Sequence, residues 1–382
     1  MGADLRCYNI ADLRERARKR LPLGIWEYAE RGVEDEGGMA RNRAAFDAIT
    51  FRPRVLRGVS EIDPSTEIFG QRIPFPLAVA PTGAAGLMWH KGDLALARAA
   101  ASAGVPFVIS SASTMDLEQI AEAGGRQWFQ LYLWEDRSLS HAVVERAWQL
   151  GCEALFVTLD LPVPPNREYI QRNGFGTPFK LNARNTLDVL THPRWLAGVM
   201  GRYMLEGGIP TQANLPDRLR AKVTKGAPPG ALSKQDDLNW DGAKELRDRW
   251  PGKFVLKGIL HPEDAERALA IGADGIVVSN HGGRALDSSI GTMDALPAIV
   301  SAVGGRMTVF LDSGVRRGSD VVKAVAVGAD AVLVGRAPLY GLAAFGEPGV
   351  ARALDLLHAE TRRTMAMIGA RSVAEVKAAL TA

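Results

Sequence analysis

Chemistry is most concentrated in one stretch of this 382-residue chain, Ser279-Asn280-His281-Gly282-Gly283-Arg284. An unperturbed imidazole titrates at about 6.5, so His281 can accept a proton near neutral pH. Asp160 can hold and charge-stabilise that imidazole as an acid partner does in hydrolytic triads. Arg167 and Arg284 follow the Asp and the His closely, and such a pair can grip a carboxylate bidentately. Lys257 protrudes from an otherwise apolar segment, where a lysine either pairs with a carboxylate or serves an anionic ligand. Such a cation suits an electron-accepting cofactor. Gly314-Val315-Arg316 and Gly335-Arg336 fit a phosphate site built from backbone N–H groups, a helix N-terminus and a guanidinium. His90, His141, His192, His261 and His358 lie in loops or helical patterns and read as surface or packing residues. A Ser-His-Asp hydrolase is the rival chemistry, but no G-x-S-x-G elbow supports it.

Residues so far apart need a scaffold that gathers them. Eight short β-rich segments recur: Leu77 to Ala80, Pro106 to Ser110, Gln127 to Tyr132, Ala154 to Leu159, Lys253 to Lys257, Gly275 to Ser279, Met307 to Leu311 and Asp330 to Val334. Most are nearly all apolar, as expected for parallel strands covered on both faces. Helical patterns lie between them, at Asp93 to Ala103, Leu117 to Ala123, Leu139 to Leu150, Pro262 to Ile271 and Ser319 to Val327. The class is α/β, and eight such units predict a TIM (β/α)8 barrel. A doubly wound sheet would carry a G-x-G-x-x-G loop after its first strand, and none is present. Gly-Ala-Asp-Gly at 272 to 275 and Gly-Ala-Asp-Ala at 328 to 331 point to half-barrel repetition.

A barrel of this kind works at the C-terminal ends of its strands. Those ends carry Pro81-Thr82-Gly83, Ser110-Ser111, Gln130 and Tyr132, Thr158 and Asp160, Lys257, Ser279 to Arg284, Asp312 to Arg316, and Gly335-Arg336. Singly, each has a bland explanation in β propensity, a solvated loop or a turn. Eight strands placing such groups at one end make that end a site. Two elements lie outside the rhythm: an N-terminal helical segment over 1–60, and an insertion over 161–239 that is far longer than a structural loop requires. Residues 177–230 carry eight Lys or Arg and three Asp or Glu, a net of +5 against +3 for the whole chain.

Composition is that of one large globular domain with appendages, 47% hydrophobic and 23% charged. A charge of +3 with no nucleic-acid motif argues against DNA and RNA. Cys7 and Cys152 show no metal-type spacing, so no metal is expected, and so few cysteines fit a reducing, cytoplasmic setting. No apolar run is long enough to span a membrane.

These motifs resemble the FMN-dependent 2-hydroxy-acid oxidases and dehydrogenases over almost the whole chain. The most specific element is Ser279 to Arg284, followed by Ala285 where the family usually carries Gln and then by Leu286-Asp287; Leu256-Lys257-Gly258 and Asp312 to Gly318 add to it. The resemblance implies that Tyr28 and Tyr132 contact substrate, that Arg167 and Arg284 bind its carboxylate, and that His281, supported by Asp160, takes a proton. It assigns FMN to Pro81, Thr82, Gly83, Ser110, Gln130, Thr158, Lys257, Ser279, Asp312, Gly314, Arg316, Gly335 and Arg336. The implied product is a 2-oxo acid, with hydride and carbanion routes both open.

Gly83 and Asp312-Ser313-Gly314 resemble the mandelate and quinone-linked L-lactate dehydrogenase branch, where glycolate-oxidising members carry Ala and Asp-Gly-Gly. Ala112 replaces their bulky Trp, which implies room for an aromatic side chain. The insertion, notably Thr191-His192-Pro193-Arg194-Trp195, resembles that of the membrane-associated branch. Its stretch Trp195 to Leu205 reads either as a headgroup-level segment, with Leu196, Val199, Met200 and Tyr203 as apolar contacts, or as an active-site lid. The implied partners are a 2-hydroxy acid, a quinone-type acceptor, the inner face of the plasma membrane and further copies of the chain in a tetramer. The alternatives are an oxygen-using oxidase and a silent flavin-binding barrel.

Overall fold

The computed structural model describes residues 5–134, 136–176, 179, 182–214, 222, 224–225 and 238–378. Eight parallel strands close into a barrel: β1 (Leu77–Val79), β2 (Phe107–Ser110), β3 (Gln127–Leu131), β4 (Ala154–Thr158), β5 (Lys253–Ile259), β6 (Gly275–Val278), β7 (Thr308–Leu311) and β8 (Ala331–Val334). Each pairs with its neighbours in chain order, and β8 returns to β1. The eight expected segments are all strands, most of them one residue shorter. β5 is the exception and runs on to Ile259 across a register shift at Gly258.

A two-residue side-chain period organises the interior. Val108, Trp128, Phe156, Val255, Val277, Phe310 and Leu333 point inward and form one apolar cluster. The intervening strand residues face outward against the helices. Trp128 stacks on Phe156 with centroids 5.3 Å apart and meets Phe310 edge-on at 5.7 Å. A small hairpin, Thr66–Ile68 with Gln71–Ile73, closes the bottom of this cluster, and Phe69 meets Trp128 and Phe310 edge-on. Two residues further along each strand, the same inward direction belongs to Ser110, Gln130, Thr158, Lys257, Ser279 and Asp312. One pleat thus separates a dry floor from a polar mouth.

The helical segment expected over 1–60 ends sooner. It forms α1 (Ile10–Arg20), α2 (Leu23–Glu30) and α3 (Gly37–Ala48), after which residues 52–58 are exposed and non-helical. Pro53 disfavours helix at the residue before it, and no apolar stripe remains to be buried. α1 is capped by Asn9, whose side chain accepts from Asp12 N–H, and it buries Ile10, Leu13 and Ala17. The helices Thr292–Val303, Arg336–Phe345 and Glu347–Ile368 had no place in the periodicity reading. Arg336–Phe345 is buried on nearly every side and so shows no single stripe, whereas Glu347–Ile368 buries one face along Val350, Leu354, Leu357, Thr361, Met365 and Ile368.

The insertion contains Glu168–Asn173, Ala183–Leu190, Pro193–Trp195, a π-helical turn Leu196–Gly201, and Arg202–Glu206. Much of the basic stretch 177–230 lies outside the described residues. Of the apolar contacts expected for a headgroup-level segment, Val199 is instead buried and Leu196, Met200 and Tyr203 pack partly buried against the same core; Trp195 beside them is buried, with its Nε1 donating to Leu87 O at 2.7 Å. Among the described residues from Ala183 to Glu206, the exposed large apolar side chains are Leu187, Leu190, Met204 and Leu205. No helix among the described residues is long and apolar enough to cross a membrane.

Phe310 touches the ring cluster from below the site, so Phe310→Ala should cost about 3–5 kcal/mol. The fall should appear as a lower urea midpoint at unchanged slope; a loss under about 1 kcal/mol would contradict this packing.

Candidate active site

The polar mouth opens into a cavity of ≈ 690 Å³. Every expected site residue lines it except Asp160 and Ser279. Ser279, expected among the FMN contacts, is fully buried beside the cavity, where its hydroxyl accepts from Lys257 Nζ at 2.9 Å. Across the barrel wall Ser110 Oγ donates to Gln130 Oε1 at 3.3 Å, and Gln130 Nε2 donates to Thr158 Oγ1 at 2.9 Å.

Lys257 is the charge at the centre. Its ammonium lies 3.2 Å from Asp312 Oδ2 and 3.9 Å from Asp160 Oδ2. Burial works against that charge, but Asp312 and Asp160 outweigh it and hold the lysine above its ordinary pKa. Asp160 is buried too, yet His281 and Lys257 hold it below the usual carboxylate range. Gly258 makes this approach possible: it lies at φ 111°, and a Cβ there would stand 2.7 Å from Asp160 Cβ.

His281 heads a run of left-handed residues, at φ 59° before Gly282 at 70° and Gly283 at 72°. The turn aims its ring into the cavity. Nδ1 sits 2.8 Å from Asp160 Oδ1, which assigns the ring proton to Nδ1 and leaves the Nε2 lone pair facing the cavity. Tyr132 O–H is 3.3 Å from Nε2. Burial lowers the His281 pKa, partly opposed by Asp160 and reinforced by Lys257. Tyr132 is pushed up to about 12 by burial and by Asp160, so it remains a donor.

Arginines crowd the opposite side. Arg167 is depressed by burial and by Arg284, and its buried Nε has no hydrogen-bond partner among the described residues. Arg284 lies 5.2 Å over the Tyr28 ring and donates to Arg31 O. Arg336 is lowered to about 10 by burial, Arg284 and Arg316. It donates to Ala29 O, Gly282 O and Arg31 O, with Nη2 also against Met39 Sδ. The N-terminus of helix Arg336–Phe345 has no side-chain cap. Like charges gathered beside uncapped amides make an anion site.

Some residues of the site had no signal in the sequence. Asn42 of α3 exchanges two side-chain hydrogen bonds with Asn280, each 2.8 Å, and so props the His281 loop from beneath. Gly38 N–H donates to Asp287 Oδ1 at 2.8 Å, which seats the same helix. Polar residues on a short N-terminal helix carry no periodicity that could reveal them.

A phosphate-bearing, electron-accepting cofactor suits this cavity: it has arginines with anion-binding capacity, a buried lysine, and in its lining a buried Thr82 Oγ1 with no partner among the described residues. With a base facing a second arginine pair, the barrel defines a cofactor-dependent dehydrogenase of small organic anions. Comparison with known proteins carries this to the family. A family model described as FMN-dependent dehydrogenase matches residues 17–382, and the chain belongs to that family. It is 43% identical over 370 residues to an L-lactate dehydrogenase of Bartonella quintana, covering 96% of this chain and 95% of the relative. It is 44% identical over 365 residues to the (S)-mandelate dehydrogenase of Pseudomonas putida, covering 95% and 90%. A crystal structure of the monotopic membrane protein (S)-mandelate dehydrogenase superposes with a TM-score of 0.92 at 42% identity, covering 97% and 98%. The protein is an FMN-dependent 2-hydroxy-acid dehydrogenase.

With His281 as base, only its neutral form is active, and its depressed pKa keeps it neutral at and above pH 7. Flavin reduction by substrate should therefore fall only on the acid side, with an inflection below about 6.5. An inflection above that value would contradict the assignment.

Proposed function

We propose that the substrate is an L-2-hydroxy acid with an aromatic, mandelate-type side chain, with L-lactate second. The observation that carries this reading is the small wall made by Gly83 and Ala112. A Cβ at Gly83 would stand 3.1 Å from Ala112 Cβ and 3.3 Å from Tyr28 Oη, so the space depends on both residues being small. Leu161, Pro164 and Pro165 add apolar surface to the same cavity.

In this reading Arg167 and Arg284 hold the carboxylate, and Tyr28 and Tyr132 hold the oxygens of the substrate. His281 Nε2 takes a proton, and Asp160 stabilises the imidazolium that forms. Pro81, Thr82, Gly83, Ser110, Gln130, Thr158, Lys257, Ser279, Asp312, Gly314, Arg316, Gly335 and Arg336 hold FMN. When bound, FMN accepts the two electrons of the oxidation. Lys257 offers positive charge beside it, and its two carboxylate partners keep it protonated.

The acceptor in this proposal is a quinone-type molecule in the membrane, reached by a protein peripheral on its inner face. Exposed Leu187, Leu190, Met204 and Leu205 beside exposed Arg184, Arg194 and Arg202 support contact with anionic lipid. The relative described as a monotopic membrane protein supports it as well. Likeness to that family is also the basis for proposing a homo-oligomer, with four copies.

The first test follows flavin bleaching anaerobically with (S)-mandelate and L-lactate in parallel, then times the return of colour in oxygen. Fast bleaching by mandelate with slow reoxidation is expected. Preference for lactate would move the substrate to the lactate branch, and rapid reoxidation would make the protein an oxidase. Ala112→Trp should raise KM for mandelate by about tenfold or more while lactate changes little; equal effects on both acids would contradict the proposed wall. Flotation with anionic vesicles should carry the intact protein and release Met204→Glu/Leu205→Glu. An intact protein that stays behind at low salt would overturn the membrane contact.

A further inference from the structure

Ser313 sits in a backbone conformation that suits another residue. Its φ is 72°, followed by Gly314 at 110°, in the left-handed region that glycine enters freely and a residue with a Cβ does not. It is also buried, so its hydroxyl must be paired where it stands. A hydroxyl offers one donor and two acceptor positions, and here all three are used. Ser313 Oγ accepts Gly282 N–H at 2.8 Å and Asn280 N–H at 3.3 Å, and it donates to Asp312 Oδ1 at 2.7 Å.

The amide between those two, His281 N–H, is accepted by Ser279 Oγ at 3.1 Å. Three consecutive amides of the catalytic turn are thus held by two serine hydroxyls. Each hydroxyl is tied to one member of the same ion pair: Ser279 accepts from Lys257, and Ser313 donates to Asp312. The other oxygen of Asp312 faces Lys257 at 3.2 Å. The backbone of this turn comes from β6, whereas Asp312 and Ser313 follow β7, so the contact crosses between neighbouring strand ends.

We propose that Ser313 is a positioning residue for the hydroxy-acid oxidation: its hydroxyl fixes the left-handed His281–Gly282 turn to the Asp312–Lys257 pair and so places the imidazole from the cofactor side of the barrel. The inference rests on the reading of His281 as base. Glycine would satisfy the backbone at 313 better than serine does, and the hydroxyl is what serine adds. Replacing it leaves two buried amides without their acceptor and frees the turn to shift, and small displacements of a catalytic group cost rate more than binding.

Ser313→Gly and Ser313→Ala, both loaded with FMN, separate the hydroxyl from the backbone strain. Flavin content and substrate Kd should stay within about twofold of the parent protein. The rate of flavin reduction at saturating substrate should fall by about tenfold or more in both variants. Independently of turnover, the Asn280 and Gly282 amides should exchange with deuterium at least about tenfold faster, while amides of the barrel strands are unchanged. Reduction at the parent rate in Ser313→Gly would overturn the proposal, as would unchanged protection of the two amides in either variant. If one variant fails to hold FMN, the other decides. If neither acid bleaches the parent protein, the substrate reading fails and amide exchange alone judges Ser313.

Discussion

A lysine ammonium stands in the middle of this barrel with only 4% of its side chain open to water. An isolated charge in such a place costs more than the fold could supply, so it persists only with partners on every side. Asp312, Asp160 and Ser279 are those partners, and none of them serves Lys257 alone. Asp160 turns its second oxygen to His281, Asp312 turns its second oxygen to Ser313, and Ser279 receives the His281 amide. Removing one carboxylate would at once leave a buried charge unbalanced and loosen the hold on the His281 turn. Charge compensation and placement of the imidazole are the same set of contacts, spread over β4, β5, β6 and β7.

The closed sheet makes that arrangement affordable. Because successive side chains alternate between faces, the inward rings of Trp128, Phe156 and Phe310 lie one layer below Gln130, Thr158 and Asp312. The dry layer excludes water from beneath the ion cluster and strengthens the interactions within it.

A bare barrel would nevertheless be incomplete. Tyr28 comes from α2, Asn42 from α3 and Arg167 from the start of the insertion. Arg336, following the last strand, donates to Ala29 O, Arg31 O and Gly282 O, which ties α2 to the catalytic turn. The insertion is docked in turn: Trp195 donates to Leu87 O, and Tyr203 Oη accepts Lys91 N–H. Asn214 is buried between Met115 and Leu117, donating to Met115 O and accepting Leu117 N–H. It therefore rests on the loops after β1 and β2, which carry Gly83 and Ala112.

The chain's own pattern was enough to specify the eight-stranded barrel, its working end, and the cavity residues from Pro81 to Arg336. These are properties of spacing: apolar runs at strand length, and polar groups where each run stops. The sequence does not reveal that the Ser279 hydroxyl accepts from Lys257, that Trp195 and Val199 are buried, or that Ser313 and Asn42 hold the His281 turn. Each of those depends on which side chains meet across elements distant in the chain. Periodicity records the face on which a residue lies, whereas hydrogen-bond partners and the direction of a left-handed turn exist only once the barrel has closed.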